Sequence, residues 1–600
     1  MPRRSIALAG PATLGFALAG VIALLAHLRH APVLGTDALL YHLPMAAWWL
    51  QAGWLTPVDL PFHGGGLEHG PALSQTLQLL LLRLAGDDGL VWLIQPACLL
   101  ALVAVYLRSA RLVGASRPVA AGLAGLLALC PPFFVNAQLQ QNDLLLCLGV
   151  ALALHGTLCL RRRARRGLAL LGLGAGVALA TKGTATITAL ALAPFALAAL
   201  APRLRDPAAR RRLRGPALAG LALAALGAGF LLRTWALHGN PLWPGKVRVL
   251  GLTLFDGPYD FSAFLDHGWS PGAVAALLVD GPEQHALVPP WSLLAWLGWG
   301  AAAVGLALRP PAGWRRGLGR ALLPVGFAPL HVMLLLAFVP GAWEEPRYHL
   351  ATFYGLWLAA ARGASRAARL DRPRTGAALA LVAPALLVFE LTAAGAWLQG
   401  WVLVAGLGAA AGVVLAARPG LRRRARDAAL VVWVAAALSA PAWYPRYRDA
   451  RDAARPSARA AVWGPQGEAW ARLDALGRPL VVAYAGTPLV YPLFGPRLEN
   501  RVVYLRLSPD DREAPLTFDP PRPPWIHTVH LQVAAQRRRR VDDAFWLAQL
   551  DARRVDVLLL VDDPQRGGAD PERGLVARHP ARFRPLWQGP GVSLLEVLGD

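Results

Sequence analysis

The sequence predicts an all-α polytopic membrane bundle over residues 1–443 followed by a small α/β domain over residues 444–600, and three observations carry that reading. Of 600 residues, 55% are apolar and 16% charged, with a mean hydropathy of +0.41, whereas soluble domains are roughly 45–50% apolar and about a quarter charged. Apolar runs of the ~20 residues a helix needs to span hydrocarbon recur along the first three-quarters of the chain, broken by arginine clusters. After about residue 444 the chain becomes charged and Pro-rich. Disorder is excluded by the apolar content. A disulfide scaffold is excluded because Cys98, Cys130, Cys147 and Cys159 all lie in apolar runs without C-x-x-C spacing.

Taken in order, about thirteen spans are expected near 5–28, 88–107, 117–135, 141–160, 167–181, 184–202, 215–235, 288–308, 320–340, 349–362, 375–397, 399–417 and 428–443. The first run, about 24 residues long, exceeds the apolar core of a secretory signal and is read as a retained span. Residues 72–86, ALSQTLQLLLLRLAG, are too few for a span and read as a half-inserted or interfacial helix.

A net charge of +24 would suit nucleic acid, but its layout suits a membrane, and no nucleic-acid partner is expected. With Arg3 and Arg4 placed in the cytoplasm, thirty Lys and Arg fall in inside loops, RRRARR at 161–166 among them, against six in the outside connections. That is the positive-inside bias. Thirteen spans then put residues 444–600 outside, in a protein of the plasma (inner) membrane. Two long outer loops, 29–71 and 236–287, suggest a cavity open to the outer surface. Trp48, Trp49 and Trp54 suit a helix lying at headgroup level.

In the tail, short β-branched runs at 479–484, 501–505, 555–561 and 592–598 read as strands, and 466–476 and 541–553 as helices. Neither a G-x-G-x-x-G nor a metal-ligand cluster is present there. The run Arg537–Arg540 reads as a solvated face, with lipid-phosphate contact as the alternative.

Chemistry-bearing residues collect outside. Asp37, in GTDALLYH, lies where the chain leaves the first span; it reads either as a general base on a hydroxyl or as a helix N-cap. Tyr41, one turn on, could share its face, with His42 adjacent. Asp143 opens the fourth span beside Asn136, Gln138, Gln140, Gln141 and Asn142; capping is again the alternative. Lys182, in ATKGT, reads as a contact for an anionic group or as a snorkelling lysine. A phosphate-binding loop is excluded there, since that motif needs Gly before and Ser or Thr after the lysine, where this chain has Thr181 and Gly183. Only two of 60 basic residues are lysines, and the other, Lys246, follows the rigid GNPLWPG turn, with Arg248 just beyond. In WEEPRYHL, Glu344, Glu345, Arg347 and Tyr348 precede a span; Arg347 can fork onto a phosphate or pair locally with a glutamate. His42, His63, His69, Asp59 and Glu68 are the histidines and carboxylates that could hold a divalent metal, without standard spacing.

Together these motifs resemble the GT-C superfamily of integral membrane glycosyltransferases, in the branch of protein O-mannosyltransferases and lipid A aminoarabinose transferases. The matching features run in order over roughly residues 5–360: Asp37 with Tyr41 in the first outer loop, Asp143 in QND, GLGAGVALATK ending at Lys182, GNPLWP, and Arg347-Tyr348. Two features depart from the pattern: the usual Asp-Glu is Asp37-Ala38, and the loop after Lys182 is almost absent. The resemblance implies a GT-C-like bundle with an exported α/β tail. It implies inverting transfer of a sugar from a polyprenyl-phosphate donor to a lipid, glycan or protein acceptor on the outer face, with Asp37 as general base. Lys182, Arg347 and Lys246 would receive the leaving phosphate, Asp143 would orient substrate or hold a metal, and Tyr41, His42, Glu345 and Tyr348 would line the substrate site. No other cofactor is expected. The competing readings are a transporter or flippase of lipid-linked sugars, which would use carboxylates buried in spans such as Glu390, and a non-catalytic cell-envelope assembly protein. Within enzymes, an oligosaccharide ligase with a diphosphate donor is the alternative.

Overall fold

The computed structural model describes residues 33–53, 71–257, 314–338, 346–370, 448–509, 538–562 and 569–599, with a few at 299–306 and apart from isolated positions. The expected spans at 5–28, 375–397, 399–417 and 428–443 lie outside the described residues, and that at 288–308 almost entirely so. Among the described residues, three helices are long and apolar enough to cross a membrane, four if one bent pair is counted as a span.

The chain enters through a π-helical turn, Ala38–His42, that runs into α1 (Leu43–Ala52). Helix α2 (Leu73–Ala85) occupies the segment read as interfacial. A 3-10 turn at Val91–Leu93 leads into α3 (Ile94–Leu112). The span expected at 117–135 is split into α4 (Arg117–Leu129) and α5 (Pro131–Asn136), because Pro131 and Pro132 supply no N–H to continue the helix. Helices α6 (Asp143–Leu160) and α7 (Ala164–Thr181) follow as an antiparallel hairpin, then α8 (Ala185–Leu204). The span expected at 215–235 is α9 (Pro207–Gly227) and α10 (Gly229–His238), bent by 56° at Gly-Ala-Gly. A hairpin of β1 (Val247–Val249) and β2 (Leu252–Phe255) precedes α11 (Trp314–Phe338) and α12 (Leu350–Leu370).

The α6–α7 hairpin sets the scale of the bundle. Each helix has 18 residues, a rise of roughly 27 Å, so Asp143 and Lys182 share one end and the arginines of 162–166 the other. Its two helices touch backbone to backbone: a Cβ on Gly149 would come within 2.7 Å of Ala178 N, and one on Gly167 within 2.8 Å of Leu160 N. Small residues serve in this way where helices meet in lipid. Tyr106, Phe327, Tyr354 and Trp357 fill the interior on the far side of α6.

The tail contains a helix over 452–474 (α13), β3 (Val481–Ala485), β4 (Arg501–Tyr504), α14 (Asp543–Arg553), β5 (Val557–Val561), α15 (Asp570–Arg578), β6 (Phe583–Gly589) and β7 (Val592–Val597). The strands form one sheet in the order β4-β3-β5-β7-β6, parallel across the first three and antiparallel thereafter. All five residues of β5 are buried, as befits a central strand covered on both faces. Strand β6 has no counterpart in the sequence reading. It is an edge strand carrying Arg584 and Pro585, with an irregular register between Pro585 and Trp587, features that blunt an edge and erase the apolar pattern. The Arg537–Arg540 run is not wholly a solvated face: Arg538 is buried and paired with Glu572, so that charge is spent internally.

The sheet does not stand apart from the rest of the chain. Leu39, Leu40, Leu43, Ala46 and Ala47 share a core with β3, β4, β5 and β7. Trp48 and Trp49, expected at headgroup level, are taken up by protein: Trp48 stacks edge-on against Phe494 at 5.3 Å and Trp49 is buried with Met45 and Ala72. Trp54 lies outside the described residues.

Candidate active site

The site is assembled at the end of the α6–α7 hairpin from four stretches far apart in sequence. Asp37 precedes the π-helical turn and makes no capping hydrogen bond through its side chain, so the capping alternative is overturned. Its carboxylate pairs with Arg347, which sits in a 3-10 turn, Pro346–His349, at the head of α12. Arg347 thus has a partner 310 positions away in the sequence, whereas the glutamates of its expected local pairing, Glu344 and Glu345, lie outside the described residues.

Asp143, at the first turn of α6, is paired with Lys182 across the hairpin, Nζ to Oδ1 2.8 Å. Beside them Asn142 Nδ2 donates to Thr181 O at 3.2 Å. Lys182, in the turn between α7 and α8, lies 4.5 Å over the Tyr348 ring, a cation–π contact. Burial is the largest influence and opposes its charge, but Asp143 and Tyr348 together outweigh it and its pKa is raised. Snorkelling is thereby replaced by a specific pair. Gln141 joins the two pairs: with its amide nitrogen toward Asp143 it donates to Oδ2 at 3.2 Å and accepts from Arg347 Nη1 at 3.3 Å. Two carboxylates and two cations thus alternate in one string, Asp37–Arg347–Gln141–Asp143–Lys182.

The loop carrying Gln141 is buried, and its carbonyls need donors. Helix α2 supplies them: Ser74 Oγ donates to Gln141 O at 3.1 Å and Gln78 Nε2 to Gln140 O at 3.1 Å, and Gln95 of α3 also donates to Gln141 O. Ser74 and Gln78 of SQTLQ, incongruous in an interfacial helix, are explained by that loop.

The π turn bonds Leu43 N to Ala38 O, an i→i+5 bond, so residues five apart come into line. His42 therefore joins Tyr41 beneath Asp37. The two rings lie 4.0 Å apart. Burial, then Asp37, pushes the Tyr41 phenol well above its usual range. Burial pushes His42 down to about 4, against the pull of Asp37 and Asp143, so it is neutral at physiological pH. Neither His42 ring nitrogen has a hydrogen-bond partner among the described residues. Single-turn π segments recur at functional sites.

A cavity continues from the ion pairs into the bundle, lined by Asp143, Thr184, Thr188, His331, Arg347 and Tyr348 with apolar Leu146, Cys147 and Leu335. His331 is held at both nitrogens, by Thr188 at 2.9 Å and Thr352 at 2.8 Å. Sequence reasoning missed it, although a histidine amid FAPLHVMLLL is the kind of intramembrane ionisable group that marks function. Lys246 is not brought to the string; it pairs at 3.0 Å with exposed Asp256 of the β1–β2 hairpin. Among the described residues no group of three or more His, Cys, Asp or Glu is placed to hold a metal. Asp59, His63, Glu68 and His69 lie outside them.

Residues 69–233 match the family model described as dolichyl-phosphate-mannose-protein mannosyltransferase. No curated protein sequence matches at a significant level. Among solved structures, the chain is similar to ArnT from Cupriavidus metallidurans bound to undecaprenyl phosphate, at 14% identity over 97% of both chains with a TM-score of 0.53. It is similar also to the apo state of that protein, at 14% identity and a TM-score of 0.52. The chain thus shares the fold of that structure, its described residues include helices long and apolar enough to cross a membrane, and its residues 69–233 match the mannosyltransferase family's pattern.

Proposed function

We propose that this protein is a membrane glycosyltransferase that moves a sugar from a polyprenyl-phosphate donor to a hydroxyl on a lipid, glycan or protein acceptor at the outer face of the membrane. The observation that carries the reading is the string of alternating charges at one end of the bundle, with the arginines of 162–166 at the other. The family match and the likeness to a structure bound to undecaprenyl phosphate support the donor class.

In this reading Asp37 takes the proton of the acceptor hydroxyl. The oxygen attacks the anomeric carbon opposite the phosphate, the new C–O bond forms as the bond from that carbon to the phosphate oxygen breaks, and the configuration inverts. The departing polyprenyl phosphate is received by Arg347 and Lys182, positioned cations being a large term where anionic charge develops. Arg347 is shared: it holds Asp37 at rest and can fork onto phosphate. Asp143 keeps Lys182 in place and, through Gln141, Arg347 as well. Neutral His42 offers a donor and an acceptor to sugar hydroxyls, beside Tyr41. The N-terminus is cytoplasmic and residues 444–600 form an extracytoplasmic unit.

The test is transfer by purified, reconstituted protein from a panel of polyprenyl-phosphate sugars, wild type against Asp37→Asn. Loss of transfer with retained donor binding is expected. Equal rates would remove Asp37 as base, and movement of lipid-linked sugar across vesicles without transfer to any acceptor would make the protein a flippase.

A further inference from the structure

The tail sheet is built into the seat of Asp37. Arg501 N donates to Leu480 O at 2.8 Å, so residue 501 of β4 faces β3. Successive residues of a strand face opposite edges, so the carbonyls of residues 500 and 502 point out of the sheet at its open edge. Both are taken by one helix: Trp48 Nε1 donates to Val502 O at 3.0 Å and Gln51 Nε2 donates to Asn500 O. Trp48 and Gln51 are three apart and share a face of α1. Asn500 is itself fixed, its Oδ1 accepting from Leu480 N at 3.0 Å and its Nδ2 donating to Leu493 O at 3.0 Å. That locks the edge to the 3-10 turn Tyr491–Phe494, on which Trp48 packs. A second tether reaches the other carboxylate: buried Arg455 of α13 donates to Asp88 at 3.2 Å, just past α2, the helix that holds the loop leading to Asp143.

From this geometry we infer that the tail is a platform that positions the base, and that Trp48 is a positioning residue acting through Asp37. A helix docked by side-chain bonds to a sheet edge is fixed along its axis and in rotation, which apolar burial alone leaves loose. Asp37 lies one π turn before that helix, so its carboxylate inherits the setting. The inference rests on Asp37 as the base, but the docking itself does not.

Full-length protein in nanodiscs carrying Trp48→Phe keeps the ring and loses the bond to Val502. Amide exchange of residues 38–46 should quicken about five- to ten-fold, while β3 stays protected. The kcat for transfer should fall about ten-fold, short of the ~100-fold that a 1 Å displacement of a reacting group can produce, with KM for the donor unchanged. In an Asp37→Asn background Trp48→Phe should add no further loss. Unchanged exchange at 38–46 would overturn the docking, and an equal further loss in the Asp37→Asn background would overturn positioning through Asp37. If Asp37→Asn is itself fully active, the base assignment fails, and the exchange measurement alone then decides whether the tail holds α1. Gln51→Ala, which spares the tryptophan, gives the same readouts should Trp48→Phe not fold.

Discussion

Replacing Lys182 by methionine strips Asp143 of the ammonium that holds it, and the structure sets the size of the effect. The Asp143 side chain is 2% exposed and meets an 18% exposed Lys182 at 2.8 Å. At an effective dielectric of ~20, unit charges at that distance attract by roughly 6 kcal/mol. Desolvation offsets part of this, and removing one partner of a buried pair costs about 3–5 kcal/mol. Most of that is the penalty of the stranded carboxylate, so adding Asp143→Asn should bring Lys182→Met back to within about 1–2 kcal/mol of wild type. The pH dependence follows from the raised Lys182 pKa. A basic group raised on folding contributes fully below its ordinary value of 10.5 and loses that contribution as pH rises through the folded value. The gap between wild type and Lys182→Met should therefore be flat through neutral pH and close only in strong alkali. Equilibrium unfolding in mixed micelles of the four proteins of the cycle measures it. A coupling below about 0.5 kcal/mol, the noise of additivity, would refute the pair as a structural unit.

Arg347→Lys keeps the charge but loses the planar fork; the expected outcome in a transfer assay is a fall in kcat/KM of about 10- to 100-fold, with thermal stability little changed. Gly172→Ala places a Cβ on the Gly220 backbone where α7 crosses α9 and should destabilise by about 1–3 kcal/mol, whereas Gly183→Ala, with nothing within 4 Å, should be neutral in the same unfolding assay. In the tail, burial holds the Asp474 carboxyl up at about 6 against the pull of Arg459. An acid raised on folding contributes fully below its unfolded value and loses that contribution as pH rises through the folded one. Lowering the pH from 7 to 5 should thus stabilise through this group by about 1 kcal/mol, a gain that Asp474→Asn abolishes in thermal unfolding.

Much of the site was legible residue by residue. Asp37, Asp143, Lys182, Arg347 and Tyr348 each stood out as a polar group where the chain enters or leaves an apolar run, and the structure brings all five together. Their pairing was not legible: Asp37 read as well as a cap, and Arg347 had glutamates within three residues. Lys246 shows the converse, since its turn-rich setting suggested the site while its partner is Asp256 on the same hairpin. That His42 shares the face of Asp37 was not legible from spacing, because a sequence gives no sign of a single π turn within a helix.

By itself the sequence determined the class of the molecule, since a surplus of apolar residues in runs of bilayer length, punctuated by arginine, has few other ways to hide from water. It determined also the central strands of the tail, where burial on both faces leaves an unbroken apolar run such as VLLLV at 557–561. Tertiary structure decided the rest: which cation meets which carboxylate, that Gln141 bridges them, that β6 exists at a polar edge, and that α1 docks on β4. The longest-range of these join atoms hundreds of residues apart in sequence, Asp37 with Arg347 and Trp48 with Val502. A local pattern records how residues partition between water and oil, but not which partner satisfies a given charge or carbonyl once both are buried.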